Sequence, residues 1–224
     1  MKNTEVKNTE DHWQSVMDYI GEAKQLKLGT FFSHMMLNNP RWVLFTFARY
    51  KFASKMIGQS PLLNILDLGC NAGYGTLLFT EYGHTVTGVD SDMDAIQWAK
   101  SNLGDKANFI YEDFLGKCYG KFDAVVSLDV IEHIKDGRKY FETVISNLKE
   151  DGFCIIGTIN ETFKPYASKI ARLGHVNLFS AERLRDTARQ YFKNVFLFGM
   201  NDEVVHTGLY PMCNYLFVLG VGVR

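Results

Sequence analysis

Short apolar runs alternate with amphipathic helical stretches along the chain after Pro61. Strands that alternate with helices predict right-handed crossovers and a mostly parallel sheet that is covered on both faces. A loop without a helix joins the last two runs, which predicts an antiparallel pair at the sheet edge. The predicted strands are Asn64–Leu68, Thr85–Val89, Ala107–Tyr111, Phe122–Leu128, Phe153–Thr158, Val195–Phe198 and Tyr215–Val221. The helices predicted between them are Gly75–Tyr82, Met93–Leu103, Gly137–Lys149 and Ser180–Tyr191.

The first 60 residues follow a different, helical pattern. Asn39-Pro40 has the form of an N-cap followed by proline in the first helical turn. The helix that starts there, Arg41 to Ile57, is expected to end at Gly58, a residue suited to the left-handed conformation after a helix. We therefore expect residues 1–60 to form a helical appendage and residues 61–224 to form an α/β domain.

Composition narrows the class of protein. The chain has 224 residues, of which 46% are hydrophobic and 14% aromatic, and this is ample for a packed core. Its 24 basic and 25 acidic residues nearly balance, so charge gives no reason to expect a nucleic-acid partner. The four cysteines form no C-x-x-C pair. The polar start of the chain lacks the apolar segment of a signal peptide, and no apolar stretch suits a membrane span. We expect a cytoplasmic protein with reduced thiols.

A glycine-rich turn follows the first predicted strand. Its glycines, Gly69, Gly73 and Gly75, do not match the G-x-G-x-x-G spacing of dinucleotide binders. Asp67, just before the turn, would repel a pyrophosphate but attract an ammonium group. Asp90 ends the second strand, where a carboxylate can accept hydrogen bonds from ribose hydroxyls. This chemistry favours S-adenosylmethionine, whose tail carries an ammonium and a carboxylate.

Three segments carry a resemblance to a known family. ILDLGCNAGYG, then GVD, then FDAVVSLDVIEHI resemble class I S-adenosylmethionine-dependent methyltransferases, in particular ubiquinone-pathway enzymes. Separately, the stretch NPRWVLFTFARYKFASKM faintly resembles methyltransferases of bacterial surface-polysaccharide biosynthesis. The resemblance of the three segments covers about residues 60–224 and implies a doubly wound, Rossmann-like α/β fold with seven strands, the last antiparallel. It also implies cofactor-binding roles. Asp67, Gly69, Cys70, Asn71 and Gly73 would line the methionine end, Asp90, Ser91 and Met93 the ribose and adenine, Asp113 and Phe114 the adenine, and Ser127 and Leu128 the floor of the site.

A second group of polar residues follows the fourth predicted strand. If that turn is helical, Asp129, Glu132 and His133 share one face, and His175 could approach them. Two carboxylates and two imidazoles would suit a divalent ion, and the pattern is similar to E-x-x-E-H in small-RNA 2′-O-methyltransferases and ubiquinone-pathway enzymes. Asp in place of the first Glu reaches less far, so a metal is not favoured. We expect His133 to act as a substrate-side base, with Glu132 and His175 beside it.

The predicted function is methyl transfer to a hydroxyl or amine of a small molecule, for instance an anionic or sugar-type biosynthetic intermediate. The run Arg49-Tyr50-Lys51 could place cationic groups over such an acceptor. Two alternatives stay open: an RNA 2′-O-methyltransferase with a metal-assisted site, and a non-catalytic cofactor-binding partner subunit. The balanced charge argues against the first, and the intact glycine turn argues against the second.

Overall fold

The computed structural model describes residues 9–21, 26–166 and 169–224, which form one twisted sheet with helices on both faces. Three short 3₁₀ turns join the regular elements, at Ile131–His133, Glu161–Tyr166 and Tyr210–Met212. The helices are α1 (Thr9–Ile20), α2 (Thr30–Asn38), α3 (Pro40–Ile57), α4 (Leu77–Thr80), α5 (Met93–Leu103), α6 (Gly137–Ser146), α7 (Lys169–Gly174) and α8 (Ala181–Ala188). The strands are β1 (Asn64–Leu68), β2 (Thr85–Asp90), β3 (Asn108–Tyr111), β4 (Phe122–Leu128), β5 (Leu148–Ile159), β6 (Phe192–Asn201), β7 (Val204–His206) and β8 (Tyr215–Val223).

The strand order across the sheet is β3-β2-β1-β4-β5-β8-β6-β7. Strands β1 to β5 pair in parallel, whereas β8 runs antiparallel to both β5 and β6. The prediction of a doubly wound, mostly parallel sheet with an antiparallel last strand is therefore confirmed. Two details differ: β8 lies inside the sheet rather than at its edge, and the short β7, which no apolar run signalled, makes an eighth strand at that edge.

The alternation of side chains along β1 decides which core each residue joins. Leu66 and Leu68 face the core formed with α6 and α8, and Ile65 faces the core formed with α3 and α5. Because successive side chains of a strand point to opposite faces, Asp67 lies on the same face as Ile65. The carboxylate is thereby directed towards α3.

Helix α3 begins and ends as its sequence predicts. The Asn39 side chain accepts a hydrogen bond from the backbone N–H of Trp42 (3.4 Å), and Gly58 ends the helix with a φ of 82°. Its buried residues Tyr50, Ala53 and Ile57 belong to the same core as α5. Helix α3 is therefore an integral layer of the fold, while the division of the chain at residue 60 stays a prediction.

Among the described residues, no helix combines the length and the apolar composition that a membrane crossing requires.

Candidate active site

Asp67 is a fully buried carboxyl group at the end of β1. Its Oδ2 accepts a hydrogen bond from the Thr76 hydroxyl (2.7 Å), and its Oδ1 accepts one from the Tyr50 hydroxyl (3.3 Å). Burial raises the pKa of Asp67 to about 7, although both hydrogen bonds act to lower that pKa. At neutral pH this group lies near its midpoint, and a cationic ligand would favour its ionised form.

The turn after β1 brings the backbone close to its neighbours. Gly69 and Gly73 have φ values of 81° and 76°, in the region that favours glycine. A Cβ on Gly73 would lie 2.5 Å from the Phe109 ring. A side chain at this position would therefore meet both an unfavourable φ and a lack of space. Cys70 is buried in the same turn, against the glycine at position 88. The residues predicted for the methionine end therefore form a compact loop.

Asp90 lies at the end of β2, the strand next to β1. Its Oδ2 accepts a hydrogen bond from the backbone N–H of Asn71 (2.7 Å), and its Oδ1 accepts one from the N–H of Asp92 (2.8 Å). Burial is the main cause of a raised pKa at Asp90, and these hydrogen bonds oppose it. The carboxylate is thus fixed against the glycine turn, which is where a ribose-binding group would have to lie.

The residues predicted for the adenine side and the floor of the site differ in exposure. Ser91 and Met93 are exposed where α5 begins, and Asp113 is exposed with its Oδ1 accepting from the backbone N–H of Leu115 (3.1 Å). The remaining three predicted residues, Phe114, Ser127 and Leu128, are buried. The Ser127 hydroxyl donates to the backbone carbonyl of Leu68 (2.9 Å), so it joins β4 to β1.

Glu132, His133 and His175 come together beyond the end of β4, and one donor atom from each lies within 4.8 Å of the others. Glu132 is buried, and its Oε2 accepts from the Thr158 hydroxyl (3.0 Å). Its Oε1 has no hydrogen-bond partner among the described residues. Burial, and then the charge of Asp129, raises the pKa of Glu132 to about 8. These three residues could hold a divalent ion.

Asp129, the fourth residue of the predicted set, is not a member of this cluster and pairs with Arg49 instead. The segment after β4 is a single 3₁₀ turn at Ile131–His133, and Asp129 precedes it in the left-handed region with a φ of 61°. The three residues therefore do not share one helical face as expected. Asp129 Oδ1 lies 2.6 Å from Nη1 of Arg49, in an ion pair that crosses 80 residues of sequence.

The imidazole of His133 is exposed and oriented by the backbone. Its Nδ1 lies 3.0 Å from the carbonyl oxygen of Gly174. A carbonyl only accepts, so the contact places the hydrogen of a neutral ring on Nδ1 and leaves Nε2 free to accept a proton. The His175 ring lies edge-to-face at a centroid distance of 5.0 Å, and burial, with the charge of His133, lowers the pKa of His175.

The run Arg49-Tyr50-Lys51 does not form one cationic patch. Arg49 is paired with Asp129, Tyr50 donates to Asp67, and Lys51 lies on the exposed face of α3. The interpretation of this run as a cover for an anionic acceptor is not supported, since the three side chains point to different surroundings.

Several residues that build the site were absent from the sequence-based prediction. Tyr50 and Thr76 were not assigned to Asp67, nor was Arg49 assigned to Asp129. Tyr215 was also missed, although its hydroxyl accepts from the backbone N–H of Asp129 (3.2 Å). Only Thr76, close to the glycine turn, had a local signal that could have suggested its contact.

Comparison with known proteins decides the family of the chain. A family model described as a methyltransferase domain matches residues 31–193. The chain belongs to this methyltransferase family. The prediction of a class I methyltransferase is thereby confirmed, and the matched residues include every residue of the candidate site named so far except Tyr215.

The curated relatives of this methyltransferase domain share its sequence over about half of its length. Ubiquinone biosynthesis O-methyltransferase of Caulobacter sp. (strain K31) is 30% identical over 125 residues, which cover 52% of this chain and 49% of that protein. The protein of the same description in Rickettsia conorii is 32% identical over 117 residues, covering 50% of this chain and 40% of that protein. The matches therefore span half or less of these relatives.

A solved structure extends the likeness to the fold. The plantazolicin methyltransferase BpumL in complex with SAH superposes with a TM-score of 0.63 at 16% identity, covering 86% of this chain and 88% of that one. At this identity the match establishes a shared fold, in agreement with the strand order described above.

Proposed function

We propose that this methyltransferase domain transfers a methyl group from S-adenosylmethionine to a hydroxyl or amine of a small molecule. The observation that carries the proposal is the pair of carboxyl groups on either side of the glycine turn. Asp67 is buried at the end of β1 and suits the ammonium of the cofactor, and Asp90 at the end of β2 suits its ribose. The SAH complex of a protein with the same fold, and the family match, support this choice of cofactor.

The acceptor side of the proposal rests on His133. Methyl transfer is an in-line displacement that needs the nucleophile about 3–3.5 Å from the methyl carbon. A hydroxyl or amine also loses a proton, and a positioned imidazole accelerates such a step roughly 10²–10⁴-fold. His133 has its Nε2 available, since Nδ1 is held at the Gly174 carbonyl. A hydroxyl acceptor agrees with the O-methyltransferase description of the relatives, whereas an anionic acceptor has lost its support at Arg49.

Calorimetry with S-adenosylmethionine and SAH tests the cofactor part. We expect the wild-type chain to bind both, and Asp90→Asn to bind roughly 10-fold to 100-fold more weakly, since hydrogen bonds to a charged group are lost. Asp151→Asn, an exposed position far along the chain, is the matched control and should bind normally. A wild-type chain that binds neither molecule would defeat the proposal.

Turnover measurements test the role of His133. We expect SAH formation with one or more members of a panel of small phenols, catechols and amines, and a loss of about 10²-fold or more in kcat for His133→Ala. SAH affinity should stay unchanged in this variant. The control is His12→Ala, which alters an exposed residue of α1. Full turnover by His133→Ala would show that another group accepts the proton.

A further inference from the structure

A buried guanidinium, that of Arg49, pairs with Asp129 just before the turn that carries Glu132 and His133. The Arg49 side chain is only 8% exposed, and its Nη1 lies 2.6 Å from Oδ1 of Asp129. The guanidinium carbon also lies 3.9 Å from the centroid of the Tyr215 ring. A carboxylate and an aromatic face are the two surroundings that best hold a buried arginine. This cation is therefore a fixed part of the site.

The backbone of Asp129 is held as firmly as its side chain. Its N–H donates to the carbonyl of Gly157 (3.0 Å) and to the hydroxyl of Tyr215 (3.2 Å). Its φ of 61° is uncommon for a residue other than glycine, and such conformations persist where the surroundings impose them. Contacts from α3, β5 and β8 together fix the position of this carboxylate.

The charge of this carboxylate acts on Glu132 and His175, two members of the donor set of Glu132, His133 and His175. In this set of described residues Glu132 offers one unpartnered carboxylate oxygen, Oε1, and the two imidazoles offer nitrogen. A hard divalent cation prefers several oxygen ligands, so it would draw on Asp129 as the next carboxylate. Asp129 already has a cation at hydrogen-bond distance. A metal ion sharing this carboxylate would lie within a few ångströms of the guanidinium and be repelled by it.

We propose that Arg49 is the resident cation of this site and takes the place at Asp129 that a divalent metal ion would otherwise occupy. Arg49 is then a positioning residue, which orients Asp129 and joins α3 to the end of β4. The inference rests on the proposed function for one consequence. A metal ion in the site could bind two neighbouring oxygens of the methyl acceptor. If Arg49 takes its place, the acceptor needs to present only one hydroxyl or amine.

Mn²⁺ titration of the full chain tests this assignment without an acceptor. When Asp129→Asn is introduced into the otherwise wild-type chain, the affinity for Mn²⁺ should not change, because Arg49 already occupies this carboxylate. Asn also tolerates the left-handed conformation, so this variant keeps the backbone. Arg49→Met should bind Mn²⁺ roughly 10-fold to 100-fold more tightly than the wild type, the range over which groups around a metal site change its affinity.

Three further variants separate charge from structure. Arg49→Lys keeps the cation and should show no gain in Mn²⁺ affinity, and Arg49→Met combined with Asp129→Asn should lose the gain of Arg49→Met. Arg41→Met is the matched control from the same helix, since Arg41 is 74% exposed and lies 3.9 Å from Asp202. It should behave as the wild type.

Two results would overturn the assignment. One is a lower affinity for Mn²⁺ in Asp129→Asn than in the wild type, which would make Asp129 a ligand. This comparison decides the question even if Arg49→Met does not fold. The other is an Arg49→Met variant that is folded, binds SAH and gains no affinity for Mn²⁺. SAH calorimetry on the wild type and on each variant distinguishes failure of this assignment from failure of the proposed function. A wild-type chain that does not bind SAH would defeat the proposed function alone.

Discussion

At the residue scale, the carboxyl group of Asp67 combines complete burial with two hydrogen bonds from described residues, Thr76 and Tyr50. Burial disfavours its charged form and brings its pKa to about 7, compared with an ordinary value of 3.8. Its contribution to stability is therefore greatest below the ordinary pKa and is lost as pH rises through about 7. The buried negative charge that remains above this pH is what an ammonium group could neutralise.

The affinity of the chain for SAH should consequently depend on pH. The ammonium needs an ionised Asp67, so we expect SAH to bind about tenfold more weakly at pH 6 than at pH 8. Calorimetry at the two pH values measures this change. In Asp67→Asn the overall affinity should fall and the pH dependence should disappear. A slope that survives in this variant would have to come from another group, such as Glu132.

Sequence predicted these residues in part. Asp67 and Asp90 could be selected because each ends an apolar run beside a glycine turn, and both lie where expected. Two of the partners, Tyr50 for Asp67 and Arg49 for Asp129, could not be predicted. Tyr50 and Arg49 lie 17 and 80 positions away from these aspartates, and a single sequence contains no signal that pairs distant side chains.

At the element scale, the predicted bounds are correct where residues that end strands and helices border the apolar pattern, and incomplete elsewhere. Strands β1 and β4 and helix α5 have the predicted bounds, because glycine, aspartate or proline borders each apolar pattern. The helix predicted from Gly75 to Tyr82 is reduced to α4, since the glycine turn extends through its first residues. Strand β7 was missed because its three residues are too few for a periodic signal.

The glycine turn offers a test of how tightly these elements pack. Gly73→Ala adds a Cβ that would lie 2.5 Å from Phe109, at a φ of 76°. Gly208→Ala is the control, since Gly208 has a φ of 79° and open space around it. Urea unfolding should show a free energy of unfolding lower by about 1–3 kcal/mol in Gly73→Ala than in the control, because overpacking adds to backbone strain. Equal losses would mean that the Phe109 ring can move away.

At the scale of the whole molecule, the helices that precede the sheet differ in how they are attached. The residues of α1 whose side chains are described are exposed, apart from the half-buried Val16. Helix α2 packs through Phe32 on Tyr74, whose ring also contacts Trp98. Helix α3 lies in the core, with Ala53 fully buried. Stability should therefore depend on α3 and hardly on α1.

Deletion of residues 1–21 tests this difference. We expect a change in Tm of less than about 2 °C and no change in SAH affinity, because the described side chains of α1 are almost all exposed. Ala53→Asp in α3 is the contrasting variant and should unfold the domain, since it places a charge in the core. A large loss of stability on deletion of residues 1–21 would show that α1 contributes packing.

The position of β8 between β5 and β6 sets an order for biosynthesis. It is the last of the eight strands to leave the ribosome, and until then β5 and β6 have no neighbour between them. Tyr215, which holds both Arg49 and Asp129, arrives with it. A nascent chain thus keeps two unpaired strand edges until residues 215–223 have left the ribosome, and such edges favour aggregation.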